Sequence, residues 1–387
     1  MIVGGGVMGA AVACFLARDH GIAATVVERD PSWQRASSAL SASSIRQQFS
    51  TPVNIALSRW SLGFLRRVGD ELPIDGERPD VGLKEPGYLY LARGEPAAAQ
   101  MRASHALQRG CGAGVELLDP PALRQRFPWL NADDIALASH GVEGEGWFDG
   151  PALHQAFRRK AQACGARFVH AEAAGFSGSG GRVSAVRLAD GRAIEGEAFV
   201  LAAGAWSAPL AASLGVALPV SPKKRDVFVI DSPASLPGCP LVIDPSGVWF
   251  RPEGRGFIAG APPREPWPGD PDEPPLEAID HALFDEVIWP ALAARVPAFE
   301  ALRVRSAWAG YYEMNAFDHN GLAGLLPGWR NAWTACGFSG HGMQQAPAVG
   351  SALASTIAGG RSDAPDLAPL APARILRGEP LLERNVI

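Results

Sequence analysis

Paired cysteines are missing from this chain. Its five cysteines (Cys14, Cys111, Cys164, Cys239 and Cys336) are odd in number and scattered, with no C-x-x-C. Neither a disulfide framework nor a zinc site is indicated, and no metal is expected. Also missing is any run approaching the ~18 apolar residues of a membrane span, or a charged, apolar, small-residue leader before the first structural signal. The protein is therefore expected in the cytoplasm. A basic excess is absent too: 35 Lys and Arg face 40 Asp and Glu, a net charge of -5, which argues against a nucleic-acid surface. No internal repeat is visible. Only the proline-rich stretch at 261–275 lacks the pattern of regular structure, and it reads as a surface loop.

Glycine is plentiful, with 44 in 387 residues. The chain opens with Gly4-x-Gly6-x-x-Gly9, a pattern that chance alone gives roughly once in every two sequences this rich in glycine. Context raises its value. A helical pattern from Ala10 to Arg18 follows, then a strand from Ala24 to Val27 that ends at Glu28. That is the order of a dinucleotide-binding βαβ unit. Gly4 permits the tight turn, Gly6 lets the backbone approach a pyrophosphate, Gly9 lets helix and strand pack closely, and Glu28 accepts the ribose hydroxyls. Val7 and Met8 at the helix start, and Arg29 after the acid, are expected beside the cofactor. Only three residues precede Gly4, so the first strand is expected to be very short, unless residues upstream of Met1 are missing.

A nicotinamide fold normally closes within the first half of a chain, yet two further signals of the same kind recur later. Residues 197–215 give an apolar strand (Ala198 to Ala202) that turns at Ala203 and Gly204 into a helix carrying Trp206. Before it, 167–196 reads as a β-meander with turns at Gly178-Ser179-Gly180-Gly181 and Asp190-Gly191. The third signal, "GFSGHGMQQAPAVG" at 337–350, sets four glycines around His341. Pro347 is tolerated in a first helical turn, which predicts a helix starting near Gly342 or Met343 with its N–H groups exposed through Gly340, His341 and Gly342. A flavin gathers negative charge at N1 and the C2 carbonyl on accepting a hydride, and a helix N-terminus neutralises it. FAD is favoured on these grounds.

The N-terminal fingerprint, "SSIRQQFS" (43–50), "LAAGAWS" (201–207) and "GFSGHGMQQ" (337–345) together resemble the FAD-dependent amine and amino-acid oxidoreductases, the family of sarcosine oxidase, glycine oxidase and D-amino-acid dehydrogenases. Residues 295–321 and the tail "RGEPLLERNVI" look closest to a branch with a mitochondrial FAD-dependent oxidoreductase-domain member implicated in complex I assembly. The resemblance implies an α/β fold: a discontinuous, Rossmann-like (glutathione-reductase-like) FAD-binding domain from 1–85, 146–220 and 319–387, and a mixed-sheet α+β substrate domain from 86–145 and 221–318. It further implies hydride transfer from a C–N bond to flavin N5, giving an imine that water hydrolyses.

Residue by residue, the resemblance makes Arg46 the clamp on a substrate carboxylate, a role that suits a planar and permanently charged guanidinium, or else a cofactor residue that contacts the flavin or its phosphates. Tyr312 matches an aromatic of the substrate cavity, with Tyr311 as its rival. Trp249 and Arg251 alternate onto one face of a roof strand, which makes Arg251 a second clamp. Ser43 and Gln47 flank Arg46 and are expected at the cofactor, as are Gly310, Met343 and Gln344. His341 is expected to matter through its backbone and His319 as a turn residue, neither as a base.

Three positions depart from the family pattern. Gly310 stands where a cysteine would tether the flavin, so FAD is expected to be non-covalent. Ile258 stands where a lysine would promote reaction with oxygen, which favours a dehydrogenase over an oxidase. Gln344 replaces a lysine that helps hold the carboxylate. The expected substrate is a small amine or amino acid, and the electron acceptor a quinone, an electron-transfer flavoprotein or a partner subunit in a hetero-oligomer. The alternatives are an FAD-binding assembly factor with little turnover and, more weakly, a flavin hydroxylase.

Overall fold

The computed structural model describes residues 1–263 and 275–385, so most of the proline-rich stretch at 261–275 lies outside the described residues. Two sheets organise the chain. The first has six strands in the order Leu322–Leu325, Ala332–Cys336, Phe199–Leu201, Ile2–Val3, Thr25–Glu28 and Arg167–His170. Its neighbours are parallel except for the antiparallel first pair. The two-residue opening strand therefore lies inside the sheet, as short as expected.

Parallel neighbours need crossovers, and helices supply them. The first helix, Val7–His20, extends beyond the predicted Ala10 to Arg18 at both ends. Its residues Val7 to Ala17 are all buried, because small Ala10, Ala11 and Ala13 let other elements close on it from every side. The closing helix, Gly342–Ile357, comes so near that a Cβ on Gly350 would lie 2.7 Å from the Ala11 Cβ. Helices Pro52–Arg66 and Gly150–Ala163 complete this layer, joined to the first by Phe15, Phe64 and Phe157, whose ring centroids are 5.5–5.8 Å apart. Truncating such a ring to alanine costs about 3–5 kcal/mol. Asp149 caps the 150–163 helix by accepting from the Ala152 N–H at 2.8 Å.

The closing helix starts at Gly342 as predicted, but Pro347 falls in its second turn rather than its first. No amide is there to meet the Met343 carbonyl, the usual cost of an interior proline. The meander forms from Ala173–Ser179, Arg182–Leu188 and Ala193–Glu195. Arg167–His170, which the sequence placed at its head, joins the parallel sheet beside Thr25–Glu28 instead.

The second sheet is mixed, with eight strands in the order Arg303–Asn315, Val220–Asp231, Gly256–Gly260, Trp249–Glu253, Leu241–Ile243, Tyr88–Ala92, Leu137–Gly141 and Val115–Leu118. Only Leu241–Ile243 and Tyr88–Ala92 run parallel. Phe228, Phe250 and Val242 point from one face into a core with Phe284 and Phe299. The other face covers a cleft. Register across the two longest strands sets Arg225 opposite Gly310 and Lys223 opposite Tyr312.

Candidate functional site

Between the sheets lies a cavity of about 460 Å³. At one end stand Gly4, Gly6 and Glu28. Gly4 has φ +97°, and a Cβ there would lie 2.3 Å from the Ala202 carbonyl oxygen. A Cβ on Gly9 would lie 2.0 Å from the Gly4 oxygen, so only glycine allows helix and turn to meet this closely. Gly6 caps the first helix, and the Val7 N–H donates to Ser38 Oγ at 2.8 Å. Glu28 is held by the Gly5 N–H at 2.7 Å and the Asp30 N–H at 2.9 Å. Each carboxylate oxygen keeps a lone pair for a hydroxyl. The Arg29 guanidinium lies 4.1 Å over the Trp206 ring, and Ala203 and Gly204 (φ +56°) form the adjoining wall.

The other end is built by the start of the closing helix and by the roof. Gly340 (φ +95°) is pressed under Tyr312, whose ring would be 2.3 Å from a Cβ at that position. Gly310 leaves its strand open against Leu40, where a Cβ would come within 3.0 Å. Gly342, Met343 and Gln344 line the cleft, as does Ser43, a non-glycine residue at φ +54°. Gln344 Oε1 accepts from the Arg46 N–H at 2.9 Å, which fastens the helix start to the 43–50 segment. Tyr311, the rival of Tyr312, is buried with its ring edge-on to Trp206.

Several expectations change here. The Arg46 guanidinium reaches the cleft but is already occupied: it donates to the Gln48 carbonyl at 3.1 Å, to the Tyr90 hydroxyl at 2.8 Å and to the Asn385 carbonyl. Gln47 does not line the cleft. Its N–H is taken by Glu145 and its side chain by the carbonyls of Glu143 and Gly144. His341, expected at the cofactor through its backbone, is not among the residues that line the cleft. Its ring is buried edge-on to Phe49 with neither nitrogen hydrogen-bonded, and burial, then the nearby Arg46 charge, push its pKa down to about 3. Arg251 turns from the cleft and donates to Ala42 O at 2.9 Å, to Pro252 O and to Glu253. Trp249 does line the cleft, whereas Ile258 is buried away from it. Ile258 is therefore not placed to govern the reaction with oxygen, although no lysine lines the cleft among the described residues.

Among the cleft residues that escaped the sequence reading are Arg225 and Glu313. Glu313 accepts from the Gly337 N–H at 3.1 Å, and a Cβ on Gly342 would lie 3.1 Å from its other oxygen. Burial pushes its pKa up to about 7. Glu145 is likewise raised to about 7 by burial, while Gln47 and Gln48 hold it. "PKKRD" reads locally as a charged run and "YYEMN" as a strand, so only cross-strand register could have singled these residues out.

The donor set at the Gly4 end suits a pyrophosphate and ribose, and the bare helix start beneath Tyr312 suits an electron-rich ring edge. A cleft with both ends under a mixed-sheet roof defines a flavin-dinucleotide oxidoreductase. The chain belongs to the FAD dependent oxidoreductase family, whose model matches residues 1–356. It is 43% identical to FAD-dependent oxidoreductase domain-containing protein 1 of Xenopus laevis, covering 100% of this chain and 84% of that protein. It is 29% identical to glycine oxidase of Geobacillus kaustophilus over 96% of each chain. Among solved structures it is similar to L-proline dehydrogenase from P. horikoshii, with TM-score 0.85 and 26% identity over 98% of each chain. FAD is its cofactor. None of the five cysteines lines the cleft. Among the described residues there is no metal-binding cluster and no helix long and apolar enough to cross a membrane.

Proposed function

We propose that this protein oxidises the C–N bond of a small secondary amine or amino acid and acts as a dehydrogenase. The observation that carries the reading is the chamber at the Gly340 end, where Tyr312, Trp249 and Tyr88 enclose a space that arginines also line. Such walls exclude water and favour a small zwitterion. When bound, FAD supplies at N5 the acceptor for the hydride that leaves the carbon next to nitrogen. The chain's part is to bind and orient. A positively charged, water-poor chamber lowers the pKa of the substrate amine and favours its reactive neutral form without a protein base. The substrates named for two relatives, glycine and L-proline, support this class.

The absence of lysine from the described lining supports a dehydrogenase, since no ammonium stands ready to stabilise superoxide. The proposal adds a quinone, electron-transfer flavoprotein or partner subunit as electron acceptor, in a hetero-oligomer in the last case, and a cytoplasmic setting. It also divides the chain into a cofactor unit (1–85, 146–220, 319–387) and a substrate unit (86–145, 221–318). A second reading, an FAD-binding assembly factor with little turnover, is favoured by the occupied Arg46 guanidinium.

The deciding experiment is anaerobic titration of the FAD-loaded protein with sarcosine, other N-methyl amino acids, and D- and L-proline, followed by air. Bleaching of the oxidised-flavin band by one class supports C–N oxidation, and slow recovery in air supports a dehydrogenase. A flavin that none of them reduces favours the second reading.

A further inference from the structure

Among the described residues, four arginines line the cleft: Arg29, Arg35, Arg46 and Arg225. Three are engaged. Arg29 lies over Trp206, Arg35 donates to the Tyr311 hydroxyl at 3.2 Å and to Glu277, and Arg46 is bound as described above. Arg225 differs in kind. Its Nη1 donates to the main-chain carbonyl of its own neighbour, Lys224, at 3.1 Å, and its buried Nε has no partner. No carboxylate among the described residues pairs with it, and its guanidinium stands 5.0 Å over the Tyr312 ring. Desolvation lowers its pKa below the ordinary arginine value, as befits a cation without a counter-charge.

A half-buried guanidinium without an anion is costly, and an anionic ligand would offset that cost. The Nε–H and Nη2–H together form the side-on fork that grips a carboxylate through two parallel hydrogen bonds. In Arg225 the bonded nitrogen is Nη1, which leaves that fork unused. The residue is on the roof, facing Gly310 across the strand pair, and not at the glycine turn that suits the pyrophosphate. Tyr312 beneath it supplies a π face that a carboxylate-bound guanidinium keeps.

We propose that Arg225, rather than Arg46 or Arg251, is the residue that binds the carboxylate of the substrate. The ligand class is then amino acids and N-alkyl amino acids, with the apolar part toward Trp249, Leu241 and Ile243 and simple amines excluded. This deepens the proposed function and rests on it only for the fate of the C–N bond.

The test is spectral titration of the FAD-loaded protein with unreactive carboxylates (acetate, propionate and benzoate) against their neutral amides. Carboxylates should perturb the flavin spectrum and amides should not. Arg225→Met should weaken carboxylate binding about 30-fold, the size of a lost charge-assisted pair, while FAD retention stays unchanged. Arg225→Lys, which keeps the charge but not the fork, should fall between, and it decides the question if the methionine variant does not fold. The proposal is overturned if the wild type ignores carboxylates, if the variants bind them as it does, or if R225M loses FAD but not carboxylate affinity. Should carboxylates behave as expected while no amine reduces the flavin, C–N oxidation fails and the role of Arg225 stands. Should amino acids and their amides reduce it equally, the role fails and C–N oxidation stands.

Discussion

The Asn385 main-chain carbonyl accepts a hydrogen bond from the Arg46 guanidinium across 339 residues of sequence. Two residues earlier, Glu383 gathers the Ser50 N–H at 2.8 Å, the Ser50 hydroxyl at 2.7 Å, the Thr51 hydroxyl at 2.9 Å and the Asn54 amide at 3.0 Å. The end of the chain therefore positions the segment that forms one wall of the cleft.

Removing residues 381–387 should release this wall. The Ser50, Thr51 and Asn54 donors would be left without their carboxylate, at a cost of about 2–4 kcal/mol. Thermal unfolding should report the loss, and KM for the amine should rise more than kcat falls. A truncated protein with unchanged melting and KM would show that the tail positions nothing.

Gly340→Ala should empty the site. The new Cβ meets the Tyr312 ring and the residue must hold φ +95°, so either the aromatic or the helix start must move. We expect purified protein with at least about tenfold weaker FAD retention, read from absorbance after dialysis. Full FAD occupancy would contradict the close packing.

His341→Leu tests the ring directly. It removes two buried nitrogens without partners from beside Phe49, so stability should hold or rise by about 1–3 kcal/mol. FAD binding and flavin reduction should persist. Loss of reduction with FAD still bound would instead assign the His341 ring a part in the reaction.

Stability should depend on pH through Glu313. Its folded pKa, about 7, is above the ordinary value of 4.5, so between these values the native state holds a proton that the unfolded chain has released. The contribution is fully present below pH 4.5 and is lost as pH rises through 7, at most about 3 kcal/mol. Denaturant midpoints of Glu313→Gln across pH 5–8 should slope less than those of wild type, with Glu145 keeping part of the slope in both. An unchanged slope would remove Glu313 as the cause.

What was legible in the sequence was local. Gly4, Gly6, Gly9 and Glu28 act within one βαβ unit, and their roles follow from spacing that a single turn and helix dictate. The start of the closing helix at Gly342 came out as expected, although Pro347, from which it was inferred, lies in the second turn and not the first. Long-range partners were not. Nothing near Arg46 announces that Asn385 and Tyr90 will occupy it, and nothing in "PKKRD" separates Arg225 from Lys224 until the strand pairs with 303–315. Arg251 fell on the expected strand, yet Glu253 and Ala42 drew its guanidinium aside. Alternation predicts a face, and partners decide where a long side chain ends.

The opening strand, Ile2–Val3, is hydrogen-bonded on one side to Thr25–Glu28 and on the other to Phe199–Leu201, which in turn pairs with Ala332–Cys336. A nascent chain leaving the ribosome therefore exposes its first strand and helix long before the outer neighbours exist. Sheets assembled from such distant segments form slowly and leave apolar edges open meanwhile. The sheet around Ile2–Val3 therefore closes only once Phe199–Leu201 and Ala332–Cys336 have been made, and until then its edges stay unpaired.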